Sequence, residues 1–330
     1  MKKKFKNILI IKMSSLGDII HALPSLYVLR KTYPDAHITW AVHEAFAGIL
    51  PGEPWINEIY IVDRKRIKSF SYLHQVHRDL KSHHFDLVID LQMIAKSAII
   101  SAISGCSVRI GYRDAREGSF LASKPISGNH KNDHIIEQLL DVMRYLGCPV
   151  SEIEFPLHDF SKEIHSVSNL LLEKGVQKPY VVLVPGTRGE VKKWPVQNWG
   201  ILAAKFSSQK IYNIVAGSKS EIEMGRAIQE YSSSPYTINL MGKTSLLELA
   251  ALEKMAGLHI SSDTGPLHIA NAVHTPIIAL FGPTLPDRSG PYGNPHCHVF
   301  LADHSGTKES HMDTIPVEPV YSKALEMLHS

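Results

Sequence analysis

Short apolar runs rich in β-branched residues alternate with amphipathic stretches along this chain, and that alternation restricts the fold more than any other feature. Several runs are continuously apolar, the pattern of parallel strands covered by helices on both faces. Strands are predicted at residues 8–11, 38–42, 59–62, 87–90, 108–111, 180–184, 212–216, 237–240, 258–261, 277–281 and 298–301. Helical periodicity is clearest at residues 18–31, 133–146, 196–206 and 245–255. The alternation predicts doubly wound α/β sheets, and its length predicts two of them.

Composition agrees with two globular domains. The chain has 330 residues, a length greater than one hydrophobic core usually accommodates, and 44% of these residues are apolar. The net charge of +3 is too small to indicate a nucleic-acid binder. The charge is uneven, however, because residues 1–124 hold 18 Lys and Arg against 11 Asp and Glu. The first half therefore carries an excess of positive charge that needs a partner or a solvated surface.

The N-terminus and the cysteines favour a cytosolic protein. The basic start imitates a signal peptide, but the apolar run at 8–11 is only four residues long and ends at Lys12. No run approaches the ~18–20 apolar residues of a membrane span. Cys106, Cys148 and Cys297 are widely separated and odd in number, which indicates neither a disulfide framework nor a zinc site.

Ligands of doubly wound sheets bind beyond the carboxyl ends of the strands, so the loops there carry the functional hypotheses. The first loop, KMSSLGD at 12–18, has no G-x-G-x-x-G, and the whole chain lacks this motif, which counts against an NAD enzyme. Asp18 stands where a helix is predicted to begin. It is either a helix N-cap or a carboxylate placed to accept a proton.

Three loops of the second half carry chemistry suited to phosphate. The segment PGTRGEVKKWP at 185–195 combines glycines with Thr, Arg and two Lys, while SSDTGPLH at 261–268 opens a helix whose first amides can bind an anion. FGPT at 281–284 follows the next strand. Together these loops predict a diphosphate ligand. No Asp-x-Asp pair is present to hold a divalent ion, so we expect no metal site, and Lys, Arg and helix dipoles must stabilise the diphosphate.

The positive charge of the first half is concentrated in further strand-end loops. Arg64, Lys65, Arg66 and Lys68 follow the third predicted strand, and Lys96, Arg109, Arg113 and Arg116 lie further along. Such runs are commonly solvated surfaces. Their shared domain with Asp18 predicts instead a polyanionic acceptor.

Several of these motifs jointly resemble one family, the ADP-heptose:lipopolysaccharide heptosyltransferases of glycosyltransferase family nine. KMSSLGDIIHALP at 12–24 resembles the family's opening signature, and DTGPLH at 263–268 and FGPT at 281–284 are similar to its donor-domain signatures. KKWP at 192–195 resembles its Lys-x-Trp-Pro element, and GYRDARE at 111–117 is similar to the acceptor-side motif of heptosyltransferase I. The resemblance extends from about residue 7 to about residue 325.

The resemblance implies a GT-B fold, in which two Rossmann-like doubly wound domains face a cleft. It implies an N-terminal acceptor-binding domain over 1–160, a linker region over 161–178 and a C-terminal nucleotide-sugar-binding domain over 179–314. A last helix over 315–330 is expected to return to the N-terminal domain. The implied reaction is an inverting, metal-independent transfer of L-glycero-D-manno-heptose from ADP-heptose to Kdo of a lipid A precursor, by a cytoplasmic enzyme peripheral to the inner membrane.

The resemblance also implies a role for each matching residue. Asp18 is the implied general base. The implied donor-binding residues are Thr187, Arg188, Lys192, Glu221, Thr244, Asp263, Thr264, Gly265 and His268. The implied acceptor-binding residues are Ser14, Ser15, Arg64, Lys65, Arg66, Lys68, Arg113 and Arg116.

Alternative functions stay open at this point. The same scaffold serves enzymes that act on a second core heptose or on a protein, and it serves sugar-nucleotide epimerases. A catalytically silent nucleotide-sugar-binding protein is a further alternative. The sequence does not distinguish oligomeric states.

Overall fold

The computed structural model describes residues 4–329 and divides the chain into two compact units, Met1–His158 and Asp159–Ser330. Each unit contains one six-stranded sheet in which every neighbouring pair of strands is parallel. Helices connect successive strands, as parallel pairing requires. The prediction of two doubly wound α/β sheets is therefore confirmed. No helix of the described residues is long and apolar enough to span a bilayer.

The first unit has the strand order β3-β2-β1-β4-β5-β6. Its strands are β1 Asn7–Ile11, β2 His37–Val42, β3 Glu58–Ile61, β4 Leu87–Asp90, β5 Arg109–Tyr112 and β6 Lys124–Ile126. Its helices are α1 Leu16–Thr32, α2 Glu44–Ala47, α3 Phe70–Ser82, α4 Ala95–Ile103 and α5 Ile135–Tyr145. The apolar runs of β1 and β4 are buried because both lie inside the sheet.

The strand β6 was not predicted, and its composition explains why. It contains only three residues, Lys-Pro-Ile, and pairs with β5 alone, so that Ile110 faces Lys124 in the register. Proline cannot donate to a ladder and is tolerated at the edge of a sheet. Such an element leaves no apolar run to detect in the sequence.

The second unit repeats this topology with the strand order β12-β11-β10-β7-β8-β9. Its strands are β7 Val181–Val184, β8 Asn213–Val215, β9 Thr237–Asn239, β10 Leu258–Ser262, β11 Ile277–Phe281 and β12 Cys297–Leu301. Its helices are α6 Ser161–Glu173, α7 Val196–Ser208, α8 Ile222–Ser232, α9 Leu246–Met255, α10 Gly265–Ala272, α11 Pro286–Ser289 and α12 Val317–His329. In both units the chain leaves the first strand toward one side of the sheet and later returns to its other side. This creates a topological switch point between β1 and β4, and another between β7 and β10.

Two segments differ from their predicted assignment. Residues 161–178, expected to be a linker, form helix α6 and the turn after it, and α6 packs against α9 of the second unit. The helix expected to return to the first domain is instead part of the second unit's core, where Val320 and Ala324 are buried with Trp199 and Phe206. The apolar face of each segment is buried within the second unit. Residues 1–3 and 330 of the predicted domains lie outside the described residues.

Candidate functional site

Asp18 occupies the first turn of α1, immediately after the loop that follows β1. Ser15 is the N-cap of the helix, which begins two residues earlier than predicted, so the N-cap interpretation of Asp18 is wrong. The Asp18 carboxylate instead reaches back to Ser15, whose backbone amide and hydroxyl donate to Oδ2 at 2.9 and 2.7 Å. This is the side-chain half of a capping box, and it fixes the carboxylate at the positive end of the helix dipole.

The loop before Asp18 is held by residues at the end of β4. The Oε1 atom of Gln92 accepts hydrogen bonds from the amides of Met13 and Ser14 at 3.0 and 3.1 Å. Lys12 is buried, and its Nζ donates to the carbonyl of Leu91 at 2.8 Å. Because β1 and β4 are neighbours, these contacts join the two loops of the first switch point.

A cluster of charged groups surrounds this junction. Burial lowers the pKa of Lys12, against the negative charges of Asp18 and Asp90, while the positive charge of Arg116 lowers it further. Burial also raises the pKa of Asp90 to about 6, although the amides of Met93 and Gln92 donate to its carboxylate. The structure thus brings Asp18 and Arg116 together with two charged residues, Lys12 and Asp90, to which the sequence assigned no role.

The predicted acceptor residues fall into two groups, with Arg113 apart from both. Ser14, Ser15 and Arg116 belong to the surroundings of Asp18, as described above. The cations Arg64, Lys65, Arg66 and Lys68 lie in an exposed turn after the edge strand β3, two strands from β1. In that turn the carboxylate of Asp63 accepts from two backbone amides, and Arg66 lies over the ring of Tyr72 at 4.8 Å. Arg113 is exposed and donates to the carbonyl of Lys131 at 2.5 Å.

In the second unit, three strand-end loops meet at Asp263. Its carboxylate Oδ2 lies 2.5 Å from the Nζ of Lys192, which is carried by the loop after β7. The same oxygen accepts from the hydroxyl of Thr284, after β11, at 2.9 Å. The hydroxyl of Thr187 donates to the Asp263 carbonyl at 3.2 Å, and the Nε2 of His268 lies 3.9 Å from Oδ1. Of the predicted donor residues, four are therefore joined at one point.

The loop that carries Lys192 is anchored below this point. Trp194 is buried, and its indole nitrogen donates to the carbonyl of Ile315 at 2.9 Å. Lys192 itself ends a 3₁₀ turn and keeps 28% of its side chain exposed. The loop is therefore fixed while the Lys192 ammonium group stays accessible, so this group can exchange its carboxylate partner for another anion.

Thr264 and Gly265 form the start of α10. Thr264 is the N-cap in an extended conformation, Gly265 is the first helical residue, and Pro266 follows it. Pro266 has no amide N–H and the amide of Leu267 donates to the carbonyl of Thr264 at 3.2 Å, so the amide of Gly265, together with the helix dipole, is what this end of α10 can offer to an anion next to Lys192.

Glu221 lies beside the loop after β7. Its Oε2 accepts from the amide and the hydroxyl of Ser218 at 2.8 and 2.6 Å. A Cβ atom at Gly186 would overlap the Glu221 carboxylate, so only glycine lets the two segments approach this closely. Thr244 precedes the N-cap of α9, after a turn in which Gly242 has a positive φ and packs against Lys219. Arg188 is exposed at the surface of the loop.

One known protein family matches most of this chain. The family described as glycosyltransferase family 9 (heptosyltransferase) matches residues 73–316. The chain belongs to glycosyltransferase family 9. The prediction of this family from the loop motifs is confirmed, and the protein is a glycosyltransferase.

Individual family 9 proteins resemble the chain over most of its length. It is 25% identical to the lipopolysaccharide core heptosyltransferase OpsX of Haemophilus influenzae, over 92% of this chain and 87% of the relative. It is 31% identical to lipopolysaccharide heptosyltransferase 1 of Campylobacter coli, over 84% of each chain. The Escherichia coli heptosyltransferase WaaC, solved with ADP, superposes with a TM-score of 0.79 at 25% identity, over 97% of this chain and 99% of WaaC. The GT-B prediction is thereby confirmed.

Sequence reasoning assigned no role to four residues that organise the two switch points. Lys12, Asp90 and Gln92 support the Asp18 loop, and Thr284 shares the Asp263 carboxylate. A signal existed for Asp90, because an acidic residue ending a continuously apolar strand requires a local partner. Thr284 lies in a loop that was singled out, but its pairing with Asp263 depends on the adjacency of β10 and β11.

Proposed function

We propose that this glycosyltransferase moves L-glycero-D-manno-heptose from ADP-heptose to a Kdo residue of the lipopolysaccharide inner core, with inversion at the anomeric carbon. The second unit binds the nucleotide sugar and the first binds the acceptor. The observation that carries the donor part of the proposal is the Lys192–Asp263 pair beside the start of α10. The presence of ADP in the similar WaaC structure supports the choice of nucleotide.

Donor binding follows from the chemistry of that pair. Two phosphates bring negative charge that competes with the Asp263 carboxylate for the Lys192 ammonium group. The amide of Gly265 and the dipole of α10 add a hydrogen-bond donor and positive potential on the same side. We therefore propose that Lys192 leaves Asp263 for the diphosphate, and that Asp263, once released, accepts hydrogen bonds from donor hydroxyls. Positive charge and amide dipoles then stabilise the departing ADP without a metal ion.

The proposed reaction is a single displacement. The acceptor hydroxyl attacks the anomeric carbon, a new C–O bond forms, and the bond from that carbon to the diphosphate breaks. Asp18 accepts the hydroxyl proton. Its two hydrogen bonds from Ser15 orient the carboxylate before substrate binds, which supports a role as general base.

The acceptor is proposed from the relatives and from the charge of the first unit. Both OpsX and heptosyltransferase 1 of C. coli are described as lipopolysaccharide heptosyltransferases. A glycolipid with Kdo carboxylates and phosphates is strongly anionic, and Arg64, Arg66 and Arg116 supply cations in strand-end loops of the first unit. Such an acceptor is membrane-embedded, so we propose that the enzyme works at the cytoplasmic face of the inner membrane.

The decisive experiment uses the purified enzyme, ADP-heptose and defined acceptors, with products identified by mass spectrometry. We expect one heptose to be added to Kdo-lipid A and ADP to be released. Addition only to an acceptor that already carries one heptose, or to a protein, would replace the proposed acceptor with another family 9 acceptor. Conversion of the nucleotide sugar without any acceptor would indicate an epimerase or a hydrolase. Donor binding without turnover on any acceptor would indicate a silent binding protein.

A further inference from the structure

The core of the second unit contains a charged pair outside the site described above. Glu253 of α9 and His259 of β10 are both fully buried, and His259 Nδ1 lies 2.9 Å from Glu253 Oε2. Two ionisable groups removed from water are expensive unless they are paired and perform a task that apolar residues cannot. Neither residue takes part in the donor contacts of Asp263.

The hydrogen bonds of Ser261 connect this pair to the end of β10. The hydroxyl of Ser261 donates to the carbonyl of Ser262 at 2.9 Å, and its oxygen lies 2.8 Å from His259 Nε2. With the hydroxyl proton on the Ser262 carbonyl, the oxygen accepts from Nε2–H, so in this arrangement Nε2 carries a proton. His259 Nδ1 and Glu253 Oε2 lie at ion-pair distance, although neither atom has hydrogen-bond geometry with a partner within residues 4–329.

The chain of polar contacts ends at the peptide that leads into the donor loop. Glu253 contacts His259, His259 donates to Ser261, and Ser261 donates to the carbonyl of Ser262. The next residue is Asp263, whose backbone carbonyl and carboxylate receive Thr187, Lys192 and Thr284. A rotation of the Ser262–Asp263 peptide would move all three contacts and the start of α10.

We propose that Glu253, His259 and Ser261 are positioning residues that hold the Ser262–Asp263 peptide in the orientation required for nucleotide-diphosphate binding. The inference rests on the proposed donor role of this loop. According to this inference, the buried pair affects the affinity for the substrate. A pair that served only the stability of the core would not affect this affinity. Apolar residues of similar volume would fill the space of Glu253 and His259. They would not orient the Ser261 hydroxyl, so the Ser262 carbonyl would lose that hydrogen bond.

The sharpest test compares two adjacent serines. Ser261 and Ser262 are both fully buried at the end of β10, but the Ser262 hydroxyl has no hydrogen-bond partner within residues 4–329. Ser261→Ala breaks the polar chain, whereas Ser262→Ala removes a hydroxyl of the same size outside it. We expect Ser261→Ala to weaken ADP binding roughly five- to tenfold in isothermal titration calorimetry. Ser262→Ala should bind ADP within about twofold of the wild type, and the two variants should have similar melting temperatures.

Glu253 provides a conservative variant. In Glu253→Gln the side-chain amide can donate to His259 Nδ1, so Nε2 keeps its proton and the chain to Ser262 persists. We expect Glu253→Gln to retain ADP affinity within about twofold, and Glu253→Leu to lose as much affinity as Ser261→Ala. In steady-state assays the loss should appear in the KM for ADP-heptose, with kcat nearly unchanged.

The outcomes separate this inference from the proposed function. If the wild type binds ADP and both serine variants bind it equally well, the positioning role is wrong while the donor site stands. Equal losses in both serine variants, tracking their melting temperatures, would also overturn the role by reducing it to core stability. If the wild type binds no ADP, the donor assignment itself fails, and the inference fails with it.

Discussion

The two units place a lysine at equivalent switch points of equivalent sheets, yet the lysines differ in what they can do. Lys12 directly follows β1, is 3% exposed and binds a backbone carbonyl after β4. Lys192 is carried farther from β7 on a longer loop, keeps 28% of its side chain exposed and binds a carboxylate after β10. Lys12 is held in place by burial, whereas Lys192 can exchange partners. Loop length and exposure therefore separate a cation that supports the fold from one that is accessible enough for the ligand-binding role we propose.

The largest expected effect concerns the carboxylate at the first switch point. Asp18→Asn removes the proposed base, but the Asn oxygen can still accept from the Ser15 amide and hydroxyl. We expect kcat to fall at least about 100-fold, the usual lower range for losing a general base. ADP affinity and the melting temperature should stay near their wild-type values, as measured by calorimetry and thermal unfolding. Turnover close to wild type would show that Asp18 serves only the capping box with Ser15.

The supporting role of the first switch point predicts that its stability depends on pH through Asp90. Burial raises the pKa of Asp90 to about 6, above its ordinary value near 3.8. A carboxyl group whose pKa is raised by folding stabilises the native state below its unfolded pKa, and this contribution is lost as pH rises through the folded pKa. The stability of the first unit should therefore fall between about pH 4 and pH 6, by about 3 kcal/mol at most.

Hydrogen exchange measured by mass spectrometry can test this effect within the intact protein. After correction for intrinsic exchange rates, peptides from β1 and β4 should lose protection between about pH 4 and pH 6. Asp90→Asn keeps an oxygen for the Gln92 and Met93 amides and should abolish this loss of protection with rising pH. If the loss persists in the variant, another titratable group causes it.

The second switch point is probed by two adjacent lysines. Lys192→Met removes the cation that the proposal places on the diphosphate, and we expect ADP to bind roughly 10- to 100-fold more weakly, with a slower reaction. Lys193 is the matched control, because it lies next to Lys192 but pairs with the exposed Glu190 at 2.6 Å. Lys193→Met should change ADP affinity less than about twofold. Equal effects of the two substitutions would reduce Lys192 to a contributor to general positive charge.

Much of this arrangement could be predicted from periodicity and loop chemistry, and the parts that could not be predicted have two causes. Continuous apolar runs predicted both sheets, and strand-end loops pointed to Asp18, Lys192 and Asp263. The pairing of Gln92 with the Asp18 loop depends on which strands are neighbours, because residues about 80 positions apart meet only after β1 and β4 align. The capping role of Ser15 depends on where the helix begins, and sequence patterns locate helix ends only within a few residues. The sequence therefore does not reveal contacts that strand adjacency creates, nor the residue at which a helix begins.

The smallest expected effect concerns the exposed cations after β3. Arg64→Ala combined with Arg66→Ala should raise the KM for the glycolipid acceptor roughly two- to tenfold, since solvated charges contribute little each. ADP affinity should not change, and the acceptor effect should shrink at high salt because exposed charges are screened. Arg226 of α8, an exposed arginine paired with Glu223 at 2.6 Å, provides a control for the loss of surface charge. Arg226→Ala should change neither the KM for the acceptor nor the affinity for ADP. If the double variant also leaves the acceptor KM unchanged, the turn after β3 is a solvated surface, and acceptor binding in the first unit depends on Arg116 and the loop that holds Asp18.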